Sequence, residues 1–293
     1  MNWGDVGDAM FGGLPVYGDI LALVQNSVWA GAVLGLVGGL IGVFVLQRDM
    51  AFAVHGISEL SFAGAAAALL IGVDVVTGSI VGSMIAAALI GWLGSRARDR
   101  NSIIGVLMPF GLGLGILFLS LYDGRSANRF SLLTGQIVSV QSGQLGWLIG
   151  IGAFVLVALL LIWRPLRFDS LDPQSAAARG VPTVAVSLGF MLLLGLIVAV
   201  AVHIIGALLV MALLVTPAAA AVRVATGPVT VPLLAALFGV VSAVGGILLA
   251  VAGTLPVSPY ITTISFTIYI VCRVVGARRG RVLRTQPMPR TAE

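Results

Sequence analysis

Two side chains that can bind a metal ion stand close together near the start of an apolar stretch. His55 and Glu59 are four positions apart, a spacing that puts both on one face of a helix. An imidazole nitrogen and a carboxylate oxygen are both acceptable ligands for Zn²⁺ or Mn²⁺. We predict that this pair lines an ion pathway or its gate, because charge retained in a membrane span usually faces a cavity or a partner. The alternative is that both side chains lie at the membrane interface, within reach of water, and tune nothing.

Few other residues could take part in metal chemistry. His203 is the only other histidine, and it is either a residue of an outer turn or part of an outer metal entry. Cys272 is the only cysteine, so it forms neither an internal disulfide nor a thiolate cage. The two histidines are 148 positions apart and no H-E-x-x-H motif occurs, which argues against an intramembrane enzyme.

The composition requires lipid as the solvent of these residues. Hydrophobic residues make up 59% of the 293 positions and charged residues only 9%, whereas an ordinary soluble domain carries about 25% charged residues. All 16 basic residues are arginine. Since a P-loop needs a lysine for the nucleotide phosphates, the chain is not a Walker-type ATPase, and a partner must supply any ATP that is used.

The apolar runs predict an all-α, polytopic membrane protein with about nine transmembrane helices. These spans cover approximately 26–46, 57–73, 76–95, 102–122, 144–163, 183–202, 204–222, 230–252 and 258–276. The permease domain is therefore 26–276, preceded by an outer segment over 1–25 and followed by a basic cytoplasmic tail over 277–293. Small-residue pairs such as Gly31 with Gly35 and Gly78 with Gly82 are expected to let helix backbones approach closely.

The arginines predict the orientation of the chain. With the N-terminus outside, the inner loops and the cytoplasmic C-terminal tail hold 14 arginines, and the outer loops hold only Arg125 and Arg129. This asymmetry follows the excess of basic residues on the cytoplasmic side of membrane proteins.

One inner connection, 164–182, contains the signals of a short helix. Asp172 is placed to be the N-cap and Pro173 the first helical residue, while Gly180 ends the helix and Pro182 forbids its continuation. Such an element, around 171–180, is expected to be a docking site for a partner protein. The candidate docking residues are Asp169, Asp172, Ala176, Arg179 and Gly180.

These residues resemble the permease subunits of the zinc/manganese family of bacterial ABC importers. The run from Phe168-Asp169 to Gly180 and Pro182 is similar to the coupling region of such permeases. The stretches 204–224, IIGALLVMALLVTPAAAAVRV, and 132–140, LLTGQIVSV, resemble two further family segments. The resemblance extends over about 26–276.

The stretch from Arg48 to Gly64 also resembles a family pattern, with two departures. Where the family pattern has an aspartate, this chain has His55, and where the pattern has a histidine four positions later, this chain has Glu59. The spacing of the carboxylate and the imidazole is therefore kept, but their order is reversed. Gln136 and Thr254 stand at or near positions where the family commonly has acidic residues.

The resemblance implies a transport subunit in the bacterial plasma membrane that is not itself an enzyme and binds no cofactor. It implies a second copy of the chain, an ABC ATPase docked on the short helix, and an extracytoplasmic solute-binding protein that delivers a divalent metal ion. ATP would be bound and hydrolysed by the ATPase. Besides membrane lipid, no further partner and no nucleic acid is expected. The alternatives are a permease for metal chelates and a non-ABC secondary transporter.

Overall fold

The described part of the chain is helical. The computed structural model describes residues 24–93, 97–122, 140–252 and 257–284, and these ranges contain no strand. In chain order the helices are α1 (Gln25–Gln47), α2 (Ala51–Ile71), α3 (Val75–Leu93), α4 (Ala97–Leu121), α5 (Ser142–Leu171), α6 (Pro173–Ala178), α7 (Thr183–Ile205), α8 (Ala207–Val224), α9 (Thr230–Ala252) and α10 (Val257–Arg284).

Each predicted span coincides with a helix, which confirms the all-α, multi-pass prediction. Within the described ranges eight helices are long and apolar enough to cross a membrane, and the apolar part of α8, Leu209–Val224, is shorter. Helices form here because a backbone in lipid must satisfy its own hydrogen bonds. The segment 1–23, the end of the basic tail over 285–293, Arg125, Arg129, Gln136 and Thr254 lie outside the described residues.

Three predicted boundaries were wrong. The second span begins at Ala51 instead of 57, so His55 and Glu59 lie within helix α2. The fifth span continues to Leu171 through Pro165, and the predicted loop from 164 is helical over its first eight residues. The last helix reaches Arg284, so the tail begins as helix. These boundaries were misplaced because polar side chains beside an apolar run suggest a loop. A helix can nevertheless carry polar side chains near its end while its backbone hydrogen bonds stay intact.

The sixth and seventh spans meet at a glycine and not at His203. Gly206 has a φ of 81° and separates α7 from α8, and this left-handed region suits a residue without a Cβ. His203 therefore lies in the last turn of α7, which corrects its predicted position in a turn.

The centre of the bundle consists of α1, α2 and α7, which are the most buried long helices, while α4, α5 and α10 present large apolar side chains outward. Helix α1 packs on α9 through glycine. A Cβ at Gly35 would stand 2.5 Å from the carbonyl carbon and oxygen of Gly239, and one at Gly31 would stand 2.6 Å from Ile247. The predicted role of Gly31 and Gly35 in close packing is confirmed.

Helices α2 and α3 are packed in the same way. A Cβ on Gly78 would meet Gly64 and Ala68, and one on Gly82 would meet the carbonyl of Leu60. Close by, the hydroxyls of Ser61 and Ser79 are 2.7 Å apart, and the Ser79 hydroxyl donates to the Ala199 carbonyl of α7 at 3.1 Å. These contacts hold α2, α3 and α7 together inside the bundle.

Candidate functional site

The predicted His55–Glu59 pair forms on helix α2. His55 Nε2 lies 3.6 Å from Glu59 Oε1, and the two side chains are 24% and 6% exposed. Helix α2 begins directly after a tight turn in which Asp49 has a φ of 53° and the Met50 amide donates to the Val45 carbonyl at 2.8 Å. Glu59 is eight residues into the helix, about 12 Å along its axis. The pair therefore lies within the first three turns of α2, with Glu59 buried and His55 partly exposed.

Two ligands do not complete a metal site. A tetrahedral ion such as zinc takes four ligands, and no group of three or more His, Cys, Asp or Glu that could hold an ion occurs in the described parts of the chain. The Nδ1 atom of His55 is buried without a hydrogen-bond partner. The pair can offer an ion two ligands, an imidazole nitrogen and a carboxylate oxygen, and its role in a pathway stays a prediction.

His203 lies at the opposite end of the bundle from His55 and Glu59. By the helical rise, His55 and His203 are roughly 20–25 Å apart along the bundle axis. His203 Nε2 is 3.0 Å from Gln144 Nε2. Because Gln144 Oε1 accepts the backbone N–H of Gln141, its amide nitrogen must donate to His203. The imidazole is then neutral with its proton on Nδ1, so the bond to Gln144 must break before Nε2 can bind a metal.

The predicted short helix is present as α6. The Asp172 side chain accepts the Ser175 N–H at 3.0 Å and also the Ser175 hydroxyl, and these bonds lower the pKa of the Asp172 carboxyl. Pro173 is the first helical residue, and Gly180, with a φ of 82°, follows the helix end. The predicted cap, first residue and stop are confirmed. The docking role stays a prediction.

Two of the five candidate docking residues do not reach the surface. Ala176 is fully buried and fastens α6 to the protein, and Asp169 is buried in the last turn of α5. Asp172, Arg179 and Gly180 are exposed. The Arg179 guanidinium carbon lies 5.7 Å from the centre of the Phe168 ring, which holds this charge beside α6.

The partner of Asp169 is Arg48, a residue that the sequence indicated only as a topological marker. Arg48 Nη1 is 2.8 Å from Asp169 Oδ2, and the side chains are 10% and 3% exposed. The same Nη1 donates to the Ser170 hydroxyl at 3.2 Å. The sequence shows both residues as charges beside apolar spans. It does not indicate that they contact each other, because they are 121 positions apart.

The profile of the ABC 3 transport family matches residues 21–276. The chain belongs to the ABC 3 transport family. The resemblance read from the coupling region and from 204–224 is confirmed by this match, and the non-ABC secondary transporter is excluded.

Two proteins named for manganese transport align with most of the chain. The manganese transport system membrane protein MntC of Halalkalibacterium halodurans is 30% identical over 262 residues, which is 89% of this chain and 90% of that protein. The manganese import system permease protein ScaB of Streptococcus parasanguinis is 28% identical over 259 residues, which is 88% of this chain and 92% of that protein.

Two solved structures share the fold. PsaBC from Streptococcus pneumoniae in complex with Fab is 26% identical with a TM-score of 0.78, over 92% of this chain and 94% of that chain. An inward-facing metal-chelate type ABC transporter is 19% identical with a TM-score of 0.68, over 94% of this chain and 91% of that chain, and it shows the fold alone. This ABC 3 transport family chain is therefore a multi-pass permease of the plasma membrane and not an enzyme.

Proposed function

We propose that the chain is the permease subunit of an ATP-driven importer of a divalent transition metal ion, manganese or zinc. The observation that carries this proposal is the family match over 21–276, together with relatives named for manganese transport that align with about nine-tenths of the chain. Their names favour manganese. An importer of metal chelates is the second candidate, and the likeness to a metal-chelate type transporter supports only its fold.

The ends of the bundle have different tasks in this proposal. The end that carries α6 (the α6 end) faces the cytoplasm, where the inner arginines lie and where the ATPase docks on the exposed residues of α6. The opposite end, with His203, faces outward and receives the ion from a solute-binding protein. A second copy of the chain completes the pathway, and ATP is bound and hydrolysed only on the ATPase subunits.

Uptake by a reconstituted complex tests the function. The chain is purified with its ATPase, placed in liposomes and supplied with the binding protein, and uptake of radioactive manganese and zinc is measured with and without ATP. We expect ATP-dependent uptake of a free divalent ion. An assembled, ATP-hydrolysing complex that transports neither free ion but does transport a chelate would favour the second candidate.

The same vesicles test the pathway role of His55 and Glu59. Glu59→Gln keeps the size of the side chain and removes its charge, and His55→Ala removes the imidazole. Each is expected to lower uptake at least about tenfold, the effect of about 1.4 kcal/mol. Ser58→Ala is the matched control, because the Ser58 hydroxyl is buried on the same helix and donates to the Val54 carbonyl of its own turn. Normal uptake by assembled Glu59→Gln and His55→Ala complexes would remove this pair from the pathway.

A further inference from the structure

The buried ion pair between Arg48 and Asp169 joins the C-terminal end of α1 to the C-terminal end of α5. Arg48 caps the C-terminal end of α1, and Asp169 lies in the last turn of α5. The Arg48 guanidinium also donates to the hydroxyl of Ser170, and that hydroxyl donates to the Leu166 carbonyl at 2.6 Å. Two bonds therefore hold the guanidinium to the end of α5, and a third holds the Ser170 hydroxyl that accepts one of them.

A contact between Arg48 and an aromatic ring adds a third helix to this ion pair. The Arg48 guanidinium carbon is 5.8 Å from the centre of the Phe190 ring of α7, within the range of a cation–π contact. The Phe44 ring of α1 packs edge-on against Trp163 of α5 at 4.8 Å between centroids and against Phe190 at 6.1 Å. The rings exclude water from the charges and hold α1, α5 and α7 in one arrangement.

On one side, the ion pair is connected rigidly to α6. Only two residues of α5 follow Asp169, and the Asp172 amide donates to the Phe168 carbonyl at 3.1 Å before the Asp172 side chain caps α6. The fully buried Ala176 fastens the body of α6. Asp169 is four positions before the first residue of α6, and the non-helical residue between the two helices, Asp172, bonds to Phe168 on one side and to Ser175 on the other. A displacement of α6 is therefore expected to move Asp169.

On the other side, the ion pair is connected to the His55–Glu59 pair. Arg48 is followed by the tight turn at Asp49, and the Met50 carbonyl accepts the N–H of Ala53 and of Val54 in the first turn of α2. His55 is the next residue along this helix. Motion of Arg48 is thus passed to the start of α2 through a turn of two residues.

Stability alone does not explain why a membrane protein keeps this ion pair. A buried ion pair contributes little net stability, because the desolvation of both charges offsets their attraction, and apolar replacements of similar volume are often neutral. What the ion pair supplies is a fixed relative position of two helix ends. An ion pair can transmit a displacement of one helix end to the other in both directions, whereas two helix ends in purely apolar contact can slide past each other.

We propose that Arg48 and Asp169 are positioning residues that transmit displacement of α6 to helix α2 and so set the access of the His55–Glu59 pair. This inference rests on the proposed function, in which α6 is moved by the ATPase. It changes the predicted role of Asp169 from a docking contact to an internal connection.

The test replaces both charges at once in the full transporter. In Arg48→Met with Asp169→Leu, no buried charge is left without a partner, and the ratio of ions taken up to ATP hydrolysed is measured in liposomes. We expect this ratio to fall about tenfold, within the range of mutational effects on coupling between sites. Ser79→Ala is the control, since it breaks a buried interhelical bond away from this connection, and its ratio is expected to stay at the wild-type value.

A second measurement does not depend on the cargo. Amide hydrogen exchange over 51–60 is compared between the nucleotide-free and ATP-bound complex. In the wild type ATP binding is expected to change protection at this start of α2, and in the double variant the change is expected to remain in α6 and the end of α5. The same response of α2 in both complexes would overturn the proposal, even if the transporter carried a different ion.

Arg48→Lys covers the case in which the double variant does not assemble. Lysine keeps the charge, but its side chain is shorter and lacks the planar guanidinium that lies near the Phe190 ring. We expect a smaller fall of the uptake-to-ATP ratio, by about threefold, again within that range of coupling effects. An unchanged ratio in this variant would count against the proposal. A failure of wild-type uptake with a normal exchange response would instead contradict only the proposed cargo.

Discussion

The contact between α1 and α9 makes a quantitative prediction, because backbone atoms face each other there. In Gly35→Ala the new methyl group would stand 2.5 Å from the carbonyl carbon and oxygen of Gly239 and 2.6 Å from the amide nitrogen of Val240. These backbone atoms have no rotamer to change. Since ordinary contacts are about 3.5–4 Å, the two helices must separate by roughly 1 Å.

The cost follows from this separation. Overpacking a well-packed interior destabilises a protein by about 1–3 kcal/mol, and the better helix propensity of alanine offsets about 0.5–1 kcal/mol. The middle of these two ranges leaves a net loss of about 1 kcal/mol, which lowers the midpoint of thermal unfolding by about 2–4 °C for a chain of this size. The midpoint can be measured by fluorescence on the purified protein in detergent.

Two control substitutions separate packing from backbone effects. In Gly150→Ala the new methyl group meets no atom within 4 Å, so the unfolding midpoint is expected to stay the same or rise. In Gly72→Ala there is also no contact, but φ is +75°, and the left-handed conformation costs about 1–2 kcal/mol. Equal midpoints for Gly35→Ala and Gly150→Ala would refute the claim that the two backbones touch.

Two further predictions concern the two ends of the bundle. Bonds from Ser175 lower the pKa of the Asp172 carboxyl below its ordinary 3.8. The cap of α6 should therefore be complete above pH 3.8 and be lost as the pH falls through the lowered pKa of Asp172. Amide exchange at Ser175, corrected for intrinsic rates, should then increase. At the other end, a double-mutant cycle of Gln144→Ala and His203→Ala should give a coupling energy of about 0.5–1.5 kcal/mol in thermal unfolding.

Each of these two predictions can be contradicted by a specific result. Asp172→Asn retains a cap that does not titrate, so its exchange profile should be flat over the same pH range. Identical profiles for this variant and the wild type would contradict the claim that the Asp172 carboxylate caps α6. For the outer end, a coupling energy near zero would mean that Gln144 and His203 do not bond in solution.

The spans could be predicted from the sequence, and their ends could not. An apolar run long enough for the bilayer forms a helix regardless of the order of its side chains, so each expected span was found. The start of α2 was misplaced because the polar residues around His55 resembled a loop, yet the helix carries them on its first turns. The passage of α5 through Pro165 was missed because proline usually ends a helix, although here α5 extends beyond it to Leu171.

The candidate site was predictable where it is local. The His55–Glu59 pair and the cap of α6 depend on residues three or four positions apart, and helical geometry determines both contacts. The Arg48–Asp169 ion pair was not predictable, since it depends on how α1 and α5 pack. The sequence placed Asp169 beside the docking helix but gave no sign that its carboxylate turns inward.

The glycine contacts determine which parts of the permease can move relative to one another. Where Gly35 meets Gly239, and where Gly64 meets Gly78, carbonyls lie against carbons with no side chain between them. Such a contact has one favourable distance, because there are no rotamers that could repack into a second arrangement. Helices α1 and α9, and likewise α2 and α3, should therefore keep a fixed spacing during any alternation between inward and outward access, and the change must come from contacts in which side chains can repack.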